Sequence, residues 1–145
     1  MANSSVLNDT ENKVQAKRIT GGKHTLNVLN NAAESLTTTY AIVIDPVDVR
    51  AFDRIAIQIR NTHSADYTTQ VFGTLFGAPD APATAAAAGS HWAQIGDDIT
   101  TAATSGTIKT ISTTGLKQIC VRIKLASGTD TLDAGNCIVF AQGTL

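Results

Sequence analysis

LKQICVRIKLASGTDTLDAGNCIVF, residues 116–140, carries the clearest periodicity in the chain and decides its fold class. Ile119, Val121, Ile123 and Leu125 alternate with Cys120, Arg122 and Lys124, so one face is apolar and the other polar. A repeat of two is the signature of a half-buried β-strand. Turn-forming residues follow (Ser127, Gly128, Thr129, Asp130), and the chain becomes apolar again from Asn136 to Ala141 through Ile138 and Phe140. The spacing predicts an antiparallel pair whose connection is longer than a tight hairpin. Folding back around Gly128-Thr129 sets opposite one another residues whose numbers sum to 257, which places Cys120 across from Cys137 and Ile119 beside Ile138. In that register Ile138 and Phe140 point inward, and a cross-strand disulfide is geometrically allowed. Two free thiols are the expectation for a protein made in the cytoplasm.

Working outward, the same alternation recurs. RIAIQIRN (residues 54–61) sets Ile55, Ile57 and Ile59 against Ala56, Gln58 and Arg60, and is expected to be a second central strand. LTTTYAIVI (36–44) alternates until Asp45-Pro46, where the missing proline N–H should end it. Residues 25–29, 67–76 (with Gly73 marking a bulge or close packing), 91–96 and 106–112 complete about eight short strands. Residues 97–105 read as a polar connection, and the Ala/Pro-rich stretch 78–90 as an exposed loop. No segment has a helical period. The pattern predicts an all-β, antiparallel β-sandwich, with a jelly roll as the expected topology.

The 145 residues suit one domain with a real core, and a 43% hydrophobic content argues against global disorder. Charged residues make up only 16% and the net charge is −1, which does not indicate a basic nucleic-acid surface. Two cysteines do not make a disulfide scaffold. The N-terminus has no apolar stretch resembling a signal peptide, and no later run approaches a membrane span. The sequons at Asn3 and Asn8 carry no weight without a secretory route. Residues 1–23 read as an arm preceding a domain at 24–145. The arm is locally basic, since Lys13, Lys17, Arg18 and Lys23 outnumber Asp9 and Glu11. Extended, it reaches on the order of 70 Å, enough to cross a neighbouring subunit; a short helix over 9–18 is a second option. Val6, Leu7, Val14, Lys17 and Arg18 are its candidate partner-binding residues.

No stretch announces a reaction. His24, His63 and His91 are far apart and lack first-shell metal spacing. Asp97-Asp98 and Asp130/Asp133 follow no calcium-loop pattern. Cys120 and Cys137 lie within strands, where thiols are inert. Glutamate occurs only at positions 11 and 34, and no nucleophile elbow or phosphate-cradling loop is present. No cofactor and no catalytic residue is therefore assigned. Tyr40, Phe72, Phe76 and Phe140 read as inward-facing, and Trp92 as core in preference to a sugar-stacking platform. Arg54, Arg60, Arg122 and Lys124 could share one outer face, but without interleaved aromatics for single-stranded nucleic acid.

The arm (1–22), the run RIAIQIRNTHSADYTTQVFGTLF (54–76) and the run HWAQIGDDITTAATSGTIKTISTTGLKQICVRIKL (91–125) together resemble the small β-sandwich proteins of tailed-bacteriophage virions, especially head decoration (cement) proteins. The resemblance is one of texture and order over most of the chain and transfers no individual residue. It implies a non-enzymatic virion protein, made in the host cytoplasm. Such a protein binds the major capsid protein on the capsid surface, often as a homotrimer at three-fold positions, and stiffens the shell. The alternative is a carbohydrate- or receptor-binding module of a phage tail or fibre, using Trp92 and the loops at 78–90 and 97–105.

Overall fold

A computed structural model describes residues 23–75 and 90–144. Eleven strands form: β1 Lys23–Leu29, β2 Glu34–Leu36, β3 Ala41–Asp48, β4 Arg54–Asn61, β5 Tyr67–Thr74, β6 Ala93–Gln94, β7 Ile99–Thr101, β8 Ser105–Ser112, β9 Gln118–Leu125, β10 Asp130–Leu132 and β11 Cys137–Thr144. No helix forms among the described residues. The first sheet has the order β3-β9-β5-β6, with β7 also on β5; the second has the order β1-β11-β4-β8; β2 and β10 make a two-stranded bridge. All pairings are antiparallel. The two sheets pack face to face as a β-sandwich. Seven of the eleven strands have seven or eight residues, and the other four have two or three, so a periodicity reading that expects about eight is counting mainly the long ones.

The pairings nest. β1 pairs with β11, β2 with β10, β3 with β9, β4 with β8 and β5 with β7. The described chain is thus one long antiparallel hairpin folded over so that its two arms cross between the sheets side by side. Its core is continuous. Ile119, Val121, Ile123 and Leu125 from β9 meet Ile55, Ile57 and Ile59 from β4, with Cys137 and Val139 from β11, all at most 1% exposed. Alternation delivers this, because a strand buries every second side chain.

A buried polar side chain holds three of the places where the two arms cross. At the bridge, Asn30 donates its amide to the carbonyls of Ala32 (3.2 Å) and Asp133 (2.9 Å). Its Oδ1 accepts from the N–H groups of Gly135 (3.1 Å) and Cys137 (3.0 Å). Gly135 reaches this position at φ +84°, where a side chain would be strained. At the β4–β5 and β7–β8 crossings, Asn61 accepts from the His63 N–H (2.8 Å) and donates to Ala65 O (2.9 Å) and Thr101 O (3.2 Å). At the β3–β4 and β8–β9 crossings, Thr113 donates its hydroxyl to Phe52 O (2.7 Å) and its N–H to Asp53 O (2.9 Å). Each of the three is at most 3% exposed. Buried backbone groups need partners, and these side chains supply them where no ladder can.

Several expectations change. The two strands of residues 116–140 are not a pair. β9 lies between β3 and β5, whereas β11 lies between β1 and β4 in the other sheet. Cys120 faces Phe72 across its ladder and Cys137 faces Ile59, so the proposed cysteine register does not form and both thiols are free. Along β11 the inward residues are Cys137, Val139 and Ala141, which turns Phe140 outward. The stretch 36–44 breaks between β2 and β3, where the Thr37 hydroxyl accepts from the Thr39 N–H (3.1 Å) and turns the chain. β3 instead runs through Pro46. The strand is at a sheet edge, and Asp45 and Pro46 together oppose the single residue Cys120, a bulge that needs no proline N–H. Residues 99–101 of the expected polar connection form β7, and 93–94 alone form a strand within 91–96. Gly73 marks close packing, since the β5–β9 register is regular and an added Cβ would lie 2.8 Å from Leu116 Cδ1.

Asn30→Ala should unfold at lower urea concentration, with a loss of about 2–3 kcal/mol, because the buried Cys137 N–H loses its acceptor and the Asp133 carbonyl loses one of its two donors, keeping only the Asn136 N–H. An unchanged midpoint would show that the bridge is held by other means.

Candidate interaction surfaces

The outer face of the first sheet carries Cys120, Arg122 and Lys124, the positions of β9 that alternate with the core residues. Arg122 lies between two rings, 4.2 Å from the centroid of Tyr40 and 4.7 Å from that of Phe72. Its Nε donates to Gln70 Oε1 (2.8 Å). The Gln70 and Gln94 amides both donate to Asp98 Oδ1, at 3.0 and 2.7 Å, and these bonds hold the Asp98 carboxyl below the ordinary carboxylate range. Lys124 Nζ stands 4.9 Å from the Tyr40 centroid. Beside this network Phe72, Trp92 and Cys120 form a small buried cluster of their own. The rings, cation, amides and carboxylate of this face are engaged with one another. The network ties Tyr40, ahead of β3, to strands β9, β5 and β6 and to the residue preceding β7.

The outer face of the second sheet differs. Its cross-strand rows are read from the pairings. One runs Leu29, Ile138, Gln58, Ile108, and the next runs Asn27, Phe140, Ala56, Thr110. Leu29 is 38% exposed, Phe140 41% and Ile108 67%. Arg54 and Arg60 lie at the two ends of β4. Beside Phe140 a shallow depression of about 270 Å³ is lined by Arg54, Ala56, Thr110 and Gln142, among others. The face has an apolar middle, uncharged polar neighbours and charge only at its ends.

The residues singled out from the sequence fall as follows. Val6, Leu7, Val14, Lys17 and Arg18 lie outside the described residues, as do Phe76 and positions 78–89 of the Ala/Pro-rich stretch. Arg54 and Arg60 are on the outside of one sheet and Arg122 and Lys124 on the outside of the other, so the four do not share a face. Of the aromatics expected to face inward, Phe140 is exposed, Tyr40 packs on Arg122 outside the first sheet, and Phe72 belongs to the outer cluster. Trp92 is 3% exposed, which removes its ring as a sugar platform. His24 lies in β1 opposite Gly143, His91 ahead of β6, and His63 in the β4–β5 crossing, where its Nδ1 accepts from the Ala65 N–H (3.1 Å). Among the described residues no three histidine, cysteine or carboxylate side chains converge as a metal would require. Burial pushes both thiols up to about 12, which keeps them protonated near neutral pH. Tyr67 donates to Asp130 Oδ2 (3.0 Å), and burial, more than that bond, pushes its phenol above the usual range.

The Tyr40–Arg122–Phe72 sandwich and the open face of the second sheet were not read from the sequence. The first had a signal in the outward position of Arg122. The second had one in the run CIVFA, which is apolar at both parities. No family model, curated protein or solved structure matched the chain.

These shifts give a pH signature. Because the thiols and Tyr67 hold their protons more tightly folded than unfolded, their contribution is complete below the thiols' ordinary value of 9.0 and is lost as the pH rises toward 12. The urea midpoint should therefore fall between about pH 8 and pH 11, and fall less in Cys137→Ala. A thiol reagent at neutral pH should react slowly with folded protein and label both cysteines once the protein is denatured. Fast labelling of native protein would contradict the buried placement.

Proposed function

We propose that this chain is a structural virion protein that decorates and stabilises the outside of a phage capsid through oligomeric contacts, its partners being the major capsid protein and further copies of itself. The observation carrying this reading is the contrast between the two outer faces. One is closed by its own side chains, and the other presents an apolar middle with charge only at its ends. Interfaces concentrate apolar side chains centrally and keep charge at the rim. The nested pairing supports reading the sandwich as a jelly-roll wrap, an architecture used by capsid domains; that support is by analogy of fold. The sequence resemblance points the same way. On a symmetric shell, modest contacts repeated over many sites would multiply through avidity. The arm, with Val6, Leu7, Val14, Lys17 and Arg18, would add contacts to a neighbouring subunit. The chain needs no catalytic residue or cofactor in this role. The alternative, a carbohydrate- or receptor-binding module, is weakened by the burial of Trp92.

Incubating the full chain with phage heads that lack their decoration protein tests the proposal. Saturable co-sedimentation, with heads that rupture at higher temperature once coated, is the expected outcome. A chain that never sediments with heads at any concentration would refute it.

A further inference from the structure

We propose that residues 13–20 turn back at Gly21-Gly22 and pair antiparallel with β1, as an added edge strand of the sheet β1-β11-β4-β8. β1 is an edge that the fold leaves unguarded. Among the described residues it pairs with β11 alone, its ladder runs from Lys23 to Leu29 without a register shift, and it contains no proline. Its residues Leu26 and Val28 pack against the core and are apolar, so no inward charge there turns a further strand away. Such an edge calls for a cover, and 22 residues of this chain lead directly into its first residue. Gly-Gly is a favoured two-residue hairpin connection, because glycine accepts the positive φ that such turns demand. That connection sets opposite one another residues whose numbers sum to 43, so Thr20 meets Lys23, Ala16 meets Asn27 and Val14 meets Leu29. Parity then sorts the segment KVQAKR, residues 13–18. Val14, Ala16 and Arg18 share the outer side with Leu29, Asn27 and Thr25, and Val14 lengthens the apolar row that starts at Leu29. Lys13, Gln15 and Lys17 take the side of Leu26 and Val28. There a groove of about 340 Å³ lies between β1 and β3, lined by Val28, Val43, Pro46, Glu34 and Asp45 among others. Among the described residues the ion pair is Arg50–Asp48, so neither Glu34 nor Asp45 has a cation from them. Lys13 and Lys17 would supply two. Inward charges on the added strand would also stop any further addition, so the new edge closes itself. The inference stands apart from the assembly reading: residues 1–12, with Val6 and Leu7, remain to reach a neighbour, and Val14 and Arg18 stay on the outer side.

Cysteine crosslinking in the full chain tests this. Ala16→Cys with Asn27→Cys sets two thiols directly opposite, within reach of a disulfide, while the native Cys120 and Cys137 are buried. Asn27 is exposed, and thermal melts of the reduced variants would check that the fold is kept. Mild oxidation at low protein concentration should link the pair within one chain, and do so at least about tenfold more slowly in Gln15→Cys with Asn27→Cys, whose side chains lie on opposite faces. Glu34→Lys with Asp45→Lys should slow the first crosslink severalfold at low salt and less at high salt. No crosslink in either pair would overturn the inference, and so would equal rates in the two, which would show an arm without register. A crosslinked dimer would overturn it as well, by placing another copy's arm on the edge. A rate that charge reversal leaves unchanged at low salt would overturn the placement of Lys13 and Lys17 over the groove. The crosslink is read without phage heads, so its failure leaves head binding open, and failure to bind heads leaves the added strand open.

Discussion

Asn30 sets a constraint on which the exposed character of the molecule depends. Its carboxamide and backbone engage the turn between β10 and β11 at Asp133, Gly135 and Cys137. By receiving the Cys137 N–H at the first residue of β11, it fixes where that strand begins. Strand parity does the rest, since a slip of one residue would turn every side chain to the opposite face. With Cys137 inward, Val139 and Ala141 enter the core, and Ile138 and Phe140 turn to the outside of the second sheet. The open apolar face is therefore a consequence of a polar contact at the end of the sandwich. Asn61 and Thr113 bond across two of the other crossings, so strand register there is referred to a buried hydrogen-bonding group and not to hydrophobic contact alone.

The two outer faces illustrate what an apolar side chain on the outside of a sheet can become. On the first sheet Phe72 and Trp92 cover one another with Cys120, and Tyr40 and Phe72 hold the Arg122 cation between them. Each cation–π contact contributes about 0.5–2 kcal/mol, depending on how dry it is, and Gln70 fixes the guanidinium in place. That face satisfies itself. On the second sheet Phe140 and Ile108 have Ala56 and Gln58 between them, side chains too small or too polar to cover them. The difference is one of neighbours and not of composition.

The legible parts of the fold were those where polarity alternates with parity. RIAIQIRN appears as β4 with its boundaries intact, and the inward set of β9 is the one that alternation predicts. Where both parities are apolar, as in CIVFA, alternation offers no choice, and the choice comes from Asn30, 107 residues away from Cys137. The same distance hid the separation of β9 from β11. A turn-rich connection suggests a hairpin, whereas here it carries the short strand β10, which pairs with β2 and leads the chain to the other sheet. Asn30, Asn61 and Thr113 were visible as polar residues at the ends of apolar runs. Their burial was not, because it depends on which second crossing comes to lie against each. For the surfaces, the outward position of Arg122 was readable, but not its two ring partners, which come from separate segments at Tyr40 and Phe72.

The edges bear on how copies of such a sandwich could meet. An unprotected edge strand invites another chain to extend the sheet. β3 resists this, because Pro46 and two register shifts interrupt its ladder. β8 is regular along its whole length, yet Lys109 alternates with the outward Ile108 and so points toward the sandwich side of the sheet, where a strand added at the edge would have to cover its charge. Growth by strand addition is thus discouraged at both of these edges, while nothing comparable guards the middle of the second sheet's outer face. Of the two ways a β-sandwich can associate, edge to edge or face to face, this one leaves the face as the less obstructed route.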